Sequence, residues 1–450
     1  MTTAKESRSK RLLLEIGGAT GAVSLLTWYI LPNTAFCRLS PWSWFVWSRT
    51  GVTSKLEAGI IALLCLGVWA PLVRRRGEPS PADILVWGTG TYTLLLALSA
   101  CFSGSSLAAA NDCLSILLAL TTGLAAAYLA SFGRALLAPL VILALIQAIY
   151  ALLLQLNGLN TVHSGVLTRA GGTYSQPIFL YAIMVVGFPV ATTIALNGKS
   201  RIEAAIAFVP AAVCFAALSL TWSRNAYVAA AVAVLFTLWK AKRGIKWFAT
   251  TGVVVFTVAV LPFLIRTIGP LNSASTTRSN VGRAYVARAA LDQIKRSPLT
   301  GVGMANVKIE IAWPKEYLAG RRPQEALADP RSVPLLWMME MGIIGGVLFA
   351  SLLWGVCKFA WSASIPESVA LASGLVGLLA SSIFDVPFGT VIHSAGTALL
   401  GYLVGGAIVS TRSANVQVSN DHWRKVFGEY RAVRRMSPKR SPRSGGGGES

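Results

Sequence analysis

Charged residues are scarce in this sequence, and acidic residues are scarcer than basic ones. Only 13% of the 450 residues are charged, and 18 Asp and Glu residues stand against 40 Lys and Arg residues. A soluble domain has charged residues at about a quarter of its positions, so this composition excludes a soluble globular protein. With 54% hydrophobic residues and a mean hydropathy of +0.59, the chain is predicted to be an integral membrane protein.

The sequence also lacks the motifs of several enzyme classes. It contains no Walker loop, dinucleotide-binding fingerprint or HExxH motif. No pair among the six cysteines has the spacing of a metal site, and the three histidines (His163, His393 and His422) are far apart. The sequence therefore gives no indication of ATP hydrolysis, a metal or a cofactor, and an activated substrate would have to supply the driving force.

Long apolar runs recur along most of the chain. Each is about twenty residues long, enough to cross roughly 30 Å of hydrocarbon as a helix. The pattern predicts an all-α polytopic membrane protein with about 12 transmembrane helices and one large, partly helical external loop. The predicted spans lie near residues 12–31, 56–73, 83–102, 108–130, 135–155, 177–197, 202–221, 225–239, 247–265, 334–357, 366–383 and 389–410.

The placement of basic residues predicts the orientation of the chain. With the N-terminus inside, the cytoplasmic segments hold 24 Lys and Arg residues, and the external segments hold 5 once the long loop is set aside. Basic residues favour the cytoplasmic side and long loops weigh little in this rule, so both termini are expected in the cytoplasm. The net charge of +22 then reflects topology and attraction to anionic membrane lipids, and it does not indicate nucleic acid binding.

A long basic loop, residues 266–333, separates two membrane regions and holds 11 basic and 5 acidic residues. Within it, residues 282–303 predict a short amphipathic helix, stopped at Pro298, whose apolar face holds Ala287, Ala290, Leu291 and Ile294. The remaining segments are a cytoplasmic tail (1–11), transmembrane helices 1–9 (12–265), transmembrane helices 10–12 (334–410) and a basic cytoplasmic tail (411–450), whose last residues, 444–450, resemble a linker scar.

Three external segments each place an arginine at the membrane surface. They are residues 168–177 (TRAGGTYSQP) with Arg169, residues 221–227 (TWSRNAY) with Arg224, and the long loop with Arg283. A single interfacial arginine commonly extends its side chain to lipid phosphate. Each of the three arginines could have this role instead of binding a ligand. Three arginines beside turn-rich backbone favour a shared anion, because guanidinium groups bind phosphate in a bidentate manner.

The same segments carry a family resemblance. TRAGGTYSQP resembles the R-x-G-T-F-x-N-P turn of the O-antigen ligase and O-antigen polymerase superfamily, and TWSRNAY resembles its T-x-S-R-G-A segment. Residues 282–307 (GRAYVARAALDQIKRSPLTGVGMANV) are similar to the outer-loop signature of the family, and MEMGIIGG, which contains Glu340, is similar to its E-x-G-x-x-G. Together the motifs extend over residues 168–346.

The resemblance implies an enzyme of the bacterial inner membrane whose large loop is periplasmic. Members transfer a glycan from undecaprenyl pyrophosphate to an acceptor, which is lipid A-core, another glycan, or a protein such as pilin. By motif position, Arg169, Arg224 and Arg283 correspond to the arginines proposed to hold the donor pyrophosphate, and Arg288 and Arg331 are further candidates in the same loop. Arginines that stabilise the leaving pyrophosphate make a metal unnecessary.

One position departs from the family pattern. Ligases and protein-glycosylating members show a histidine, one further residue and a nine-residue spacer before G-x-x-G, and here Arg331 occupies the histidine position. Arginine cannot act as a general base. Either Arg331 is a phosphate ligand and a carboxylate takes the acceptor proton, or His163 enters from its neighbouring loop. The candidate carboxylates are Asp329 and Glu340, and an ion pair with an arginine is the alternative role of Glu340.

The missing histidine favours a repeat-unit polymerase over the ligase and protein-transferase subclasses, without excluding either. Two other classes are weighed beside the transferase. A transporter or lipid flippase is expected to have broken helices and coupling carboxylates at mid-membrane, whereas Glu15 and Asp112 lie near the predicted membrane surfaces. A noncatalytic membrane scaffold is the third class.

Overall fold

The computed structural model of the protein shows a bundle of helices. It describes residues 16–26, 90, 106–130, 136–159, 162–164, 167–172, 177–198, 200–240, 274–303, 307, 309–310, 326–327, 330–388 and 396–411. The helices in this part of the chain are α1 (Ile16–Leu26), α2 (Ser106–Ala130), α3 (Ala138–Leu156), α4 (Pro177–Leu196), α5 (Arg201–Leu220), α6 (Arg224–Lys240), α7 (Ala274–Arg296), α8 (Val333–Met341), α9 (Ile343–Ser362), α10 (Pro366–Phe384) and α11 (Gly396–Thr411).

Two short antiparallel ladders accompany the helices. Strand β1 (Val162–Ser164) pairs with β2 (Leu167–Arg169) in the connection between α3 and α4. Strand β3 (Ile309–Glu310) pairs with β4 (Ala326–Leu327) between α7 and α8. The predicted helical class is confirmed for the bundle, and these ladders are an addition that the apolar pattern did not predict.

Five helices in the described part of the chain, α3, α4, α5, α9 and α10, are long and apolar enough to cross a membrane. They confirm a multi-pass membrane protein, and the bounds of α3, α4, α5 and α10 follow the predicted spans closely. The predicted spans at 56–73, 83–102 (apart from residue 90) and 247–265 lie outside the described residues. The expectation of about 12 transmembrane helices therefore stays a prediction.

Helix α4 lies at the centre of the bundle, and 78% of its most apolar 18-residue stretch is buried inside the protein. It packs against α3, α5, α6 and α10, and glycines bring two of these neighbours close. Gly187 of α4 lies directly against Ala144 of α3, and a Cβ at Gly377 of α10 would meet the Val185 carbonyl of α4 at 2.9 Å. Small residues stabilise membrane helix pairs because they let the backbones approach closely.

The predicted span near 334–357 is divided at Gly342. Helix α8 ends at Met341 and α9 begins at Ile343, because Gly342 adopts φ 67° and ψ −150°, a conformation essentially confined to glycine. Helix α8 has nine residues and rises only about 14 Å, too short to cross a membrane. The span therefore begins with α9, and Glu340 lies in the short helix before it rather than two turns inside the span.

The bundle has two chemically different ends. At one end, the connection before α4 meets the α5–α6 turn, and the first turn of α6 meets Phe384 at the end of α10. We call this the arginine end, because it carries Arg169 and Arg224. At the other end, the amine of Lys240 donates to the Trp361 carbonyl, and the rings of Trp239 and Trp361 lie 5.5 Å apart between centroids.

Candidate functional site

Arg169 is the last residue of the β1–β2 hairpin, where it pairs with Val162. Its Nε donates a hydrogen bond of 2.9 Å to the Thr221 carbonyl, and the backbone N–H of Ala170 donates one of 3.0 Å to the Leu220 carbonyl. Gly172, three residues after Arg169, has φ 64°, a backbone conformation that favours glycine. These contacts attach the first arginine-bearing segment to the second.

The α5–α6 turn presents Arg224 as the first residue of α6. Trp222 in this turn has φ 49°, an uncommon backbone conformation for a residue with a side chain. The turn is fixed by the hydroxyl of Tyr227, which donates to the Ser219 carbonyl at 2.7 Å. Since the N-terminus of a helix attracts anions, the helix dipole of α6 and the half-buried guanidinium of Arg224 favour the same kind of ligand.

A single backbone carbonyl at the end of α10 joins the second and third arginine-bearing segments. The Phe384 oxygen accepts a hydrogen bond of 2.8 Å from Nδ2 of Asn225 and one of 3.3 Å from a terminal guanidinium nitrogen of Arg283. The last carbonyls of a helix lack partners within the helix and carry the negative end of its dipole. Helix α10 therefore draws both donors to its C-terminus.

The structure thus brings Arg169, Arg224 and Arg283 to the arginine end through Thr221 and Phe384. Their role as ligands of a donor pyrophosphate stays a prediction. The exposed guanidinium of Arg283 is on α7, which lies against α8.

The other two candidate arginines are placed differently. Arg288 is exposed and lies five residues after Arg283, so it projects about 140° further around α7. Arg331 is exposed, directly precedes the N-cap of α8 and has φ 58°. Asp329 and the side chain of His163 lie outside the described residues.

The turn after α7 is docked on the junction between α8 and α9. Val302 donates its backbone N–H to the Met339 carbonyl at 2.8 Å, Gly303 donates to the Glu340 carbonyl at 3.1 Å, and Ile343 donates to the Pro298 carbonyl at 2.7 Å. All three bonds join backbone groups, and we call this contact the backbone lock (residues 298–303 and 339–343). Glycines at 301 and 342 permit it, both at positive φ.

The lock also fixes the position of Glu340. Its side chain is buried, but its carbonyl is held next to the C-terminal end of α7, and Arg283 lies thirteen residues before that end, about 20 Å along the helix axis. The predicted catalytic role of Glu340 stays a prediction.

Alanine at Gly342 is expected to destabilise the protein. A Cβ there would lie 2.3 Å from the Leu299 carbonyl oxygen, and the conformation alone costs a residue with a side chain about 1–3 kcal/mol. Gly346→Ala is the matched control, because its Cβ would meet only the flexible Met338 side chain at 3.1 Å. We expect a lower thermal unfolding midpoint in detergent for Gly342→Ala alone. Equal midpoints for the two variants would contradict the lock.

Asp385 is the residue at this end that the sequence interpretation missed. It follows Phe384 directly, is 5% exposed, and one of its carboxylate oxygens accepts the Val386 N–H at 3.1 Å. The edge-on packing of Trp337 of α8 against Phe388 places this segment beside α8. The rule that a carboxylate within a membrane region is a functional candidate would have selected Asp385, had it been applied to the end of the span at 366–383.

The residues at this end combine cationic side chains with a buried carboxylate. Among the residues that the structure describes, no group of three His, Cys, Asp or Glu side chains is arranged to hold a metal ion. The cationic groups come from three separate segments, and the nearest acidic group in sequence to their meeting point is Asp385. The protein is therefore a multi-pass helical membrane protein with a cationic site at one end of its bundle.

Residues 206–350 match the family model described as O-antigen ligase. This match, over about a third of the chain, supports the O-antigen ligase superfamily and confirms the motif resemblance. The matched segment runs from α5 into α9 and contains Arg224, Arg283, Arg331 and Glu340, but neither Arg169 nor Asp385. No curated protein matches the chain. The family is one of glycosyltransferase-type enzymes and implies a lipid-linked glycan and an acceptor as partners in general terms.

Proposed function

We propose that the protein transfers a glycan from undecaprenyl pyrophosphate to an acceptor at the periplasmic face of the bacterial inner membrane. The observation that carries the proposal is the meeting of Arg169, Arg224 and Arg283 at one end of the bundle, through Thr221 and Phe384. Guanidinium groups from separate segments suit a diphosphate, which offers several oxygen acceptors and two negative centres.

The arginines would act on the leaving group. During transfer the bond between the sugar carbon and the pyrophosphate oxygen breaks, the acceptor hydroxyl oxygen bonds to that carbon, and the pyrophosphate gains negative charge. Fixed cations next to the developing charge stabilise the transition state more than the ground state. Arg224 and Arg283 are assigned this role because both lie at the meeting point of α6, α7 and α10. Arg169 contributes from the hairpin, and Arg288 and Arg331 are candidates for outer phosphate contacts.

A carboxylate would accept the proton of the acceptor hydroxyl. Asp385 is the first candidate, because it directly follows the carbonyl that binds Arg283 and Asn225. Glu340 of α8 is the second candidate, and its backbone carbonyl is part of the backbone lock. Asp329 is the third, from its position in the sequence.

The acceptor subclass depends on Arg331, which stands where ligases and protein transferases have histidine. Its φ of 58° at the start of α8 is rare for a residue with a side chain, and such strain persists where the surrounding structure over-determines it. A cation there would suit an anionic acceptor or a second donor phosphate. We therefore place repeat-unit polymerisation first, with lipid A-core and protein acceptors as the alternatives.

The test is incubation of the purified protein with a lipid-linked oligosaccharide and candidate acceptors, without ATP or added metal, followed by measurement of glycan length. A ladder of products identifies a polymerase, and a single addition to lipid A-core or a protein identifies a ligase or protein transferase. Movement of the intact lipid-linked donor across a vesicle membrane, without transfer and dependent on an ion gradient, would instead identify a transporter.

A further inference from the structure

Asn225 makes a contact that its motif does not require. The segment TWSRNAY has asparagine where the motif that it resembles has glycine, and a glycine has no side chain to donate a hydrogen bond. In this protein the Asn225 amide donates to the Phe384 carbonyl at 2.8 Å. Residue 225 therefore ties the first turn of α6 to the last turn of α10.

The same carbonyl oxygen binds Arg283. A carbonyl oxygen has two lone pairs and accepts both donors, but the two bonds differ in length. The 2.8 Å bond from Asn225 lies in the usual range, whereas the 3.3 Å bond from Arg283 is longer than the usual range for N–H···O bonds. The guanidinium is thus held weakly, and a phosphate oxygen is a stronger acceptor for it than a neutral carbonyl.

We propose that Asn225 is a positioning residue for Arg283. Its amide keeps the Phe384 carbonyl satisfied and keeps α10 on α6, so that Arg283 can turn from that carbonyl to a donor phosphate without leaving a helix end unpaired. Because Asn225 directly follows Arg224, the same contact holds the first turn of α6 against the α10 carbonyl that Arg283 also contacts. This inference rests on the proposed function and deepens its account of donor binding.

Asn225→Gly is expected to raise the KM for the lipid-linked donor about tenfold, one factor of ten being the effect of a single typical hydrogen bond, with a smaller change in kcat. Asn225→Gln retains an amide donor and is expected to restore part of the loss. The matched control is Asn197→Gly. Asn197 also donates its amide to a helix-end carbonyl, that of Thr193, at 2.8 Å, but at the opposite end of the bundle. Its donor KM should equal that of the wild type.

The decisive comparison repeats Asn225→Gly in the Arg283→Ala background. If Asn225 acts through Arg283, the substitution has little further effect on the residual donor KM, because coupled residues are not additive. An equal fold-change in both backgrounds, or no change in the wild-type background, overturns the inference while leaving the proposed function intact.

Two further measurements test whether the variant folds and whether the proposed function itself holds. Thermal unfolding in detergent reports whether Asn225→Gly is folded, and if it is not, the same-sized Asn225→Asp, which lacks the N–H donors, takes its place in both backgrounds. Direct binding of undecaprenyl pyrophosphate should weaken in parallel with the KM. If the wild-type protein neither binds that lipid nor transfers glycan, the proposed function fails and this inference fails with it.

Discussion

Alanine in place of Arg283, or of Arg224, is expected to lower glycan transfer by about 10²–10³-fold, the usual effect of removing one fixed donor that stabilises a developing anion. Arg283 is exposed and its hydrogen bond to Phe384 is long, so the loss should come from the reaction rather than from folding. The measurement is kcat/KM with a purified lipid-linked donor, together with the thermal unfolding midpoint in detergent.

The control for this result is on the same helix. Lys295→Ala also removes an exposed cation from α7, but the Lys295 amine lies 3.5 Å from the Asp292 carboxylate near the far end of the helix. A surface pair of this kind contributes little to stability, so its removal should leave both the rate and the midpoint nearly unchanged. Similar rates for Arg283→Ala and Lys295→Ala would show that the general positive charge of the loop matters and that no specific phosphate site exists.

The convergence of the arginines followed from sequence because it depends on topology. Apolar length placed the helices and basic residues set their direction, and an even number of crossings brings Arg169 and Arg224 to the same side. Local patterning was also informative for α7, where Ala290 is fully buried and Ile294 is partly buried as predicted. Leu291, predicted on the same face, is 46% exposed, and Val286 is buried instead.

The contribution of α10 could not be predicted in the same way. Phe384 takes part through its backbone oxygen, which any residue would provide, so no residue type signals the contact. The break at Gly342 was hidden for a related reason. An apolar run that contains glycine is compatible with a continuous membrane helix, and only the docked carbonyls of Pro298 and Leu299 fix the positive φ.

The helix break changes how the carboxylates are ranked. On a continuous span, Glu340 would be a buried acid inside the membrane and hence a strong catalytic candidate. In the structure it belongs to the backbone lock, while Asp385 follows the carbonyl that binds Arg283. The experiment that separates them is therefore a direct comparison of two isosteric substitutions.

Asp385→Asn is expected to lower kcat by about 10²–10⁴-fold, the range for loss of a general base. The amide keeps the size of the side chain and one oxygen to accept the Val386 N–H, but it cannot take a proton from the acceptor hydroxyl. The donor KM should stay close to that of the wild type, because the arginines are unchanged. Glu367→Gln, in the first turn of the same helix at the opposite end of the bundle, should leave kcat unaltered.

The pH dependence of kcat distinguishes a base from an ion-pair partner. A carboxylate base must be deprotonated to act, so the wild-type rate should fall on the acid side with the pKa of that group, and Asp385→Asn should abolish this limb. If Asp385 is instead an ion-pair partner of Arg283, Asp385→Asn should raise the donor KM and leave the acid limb of the pH profile in place. If Glu340→Gln removes the limb while Asp385→Asn keeps it, the base is Glu340. Catalysis would then be centred on Glu340 of α8, and Arg283 would act from α7, which lies against α8.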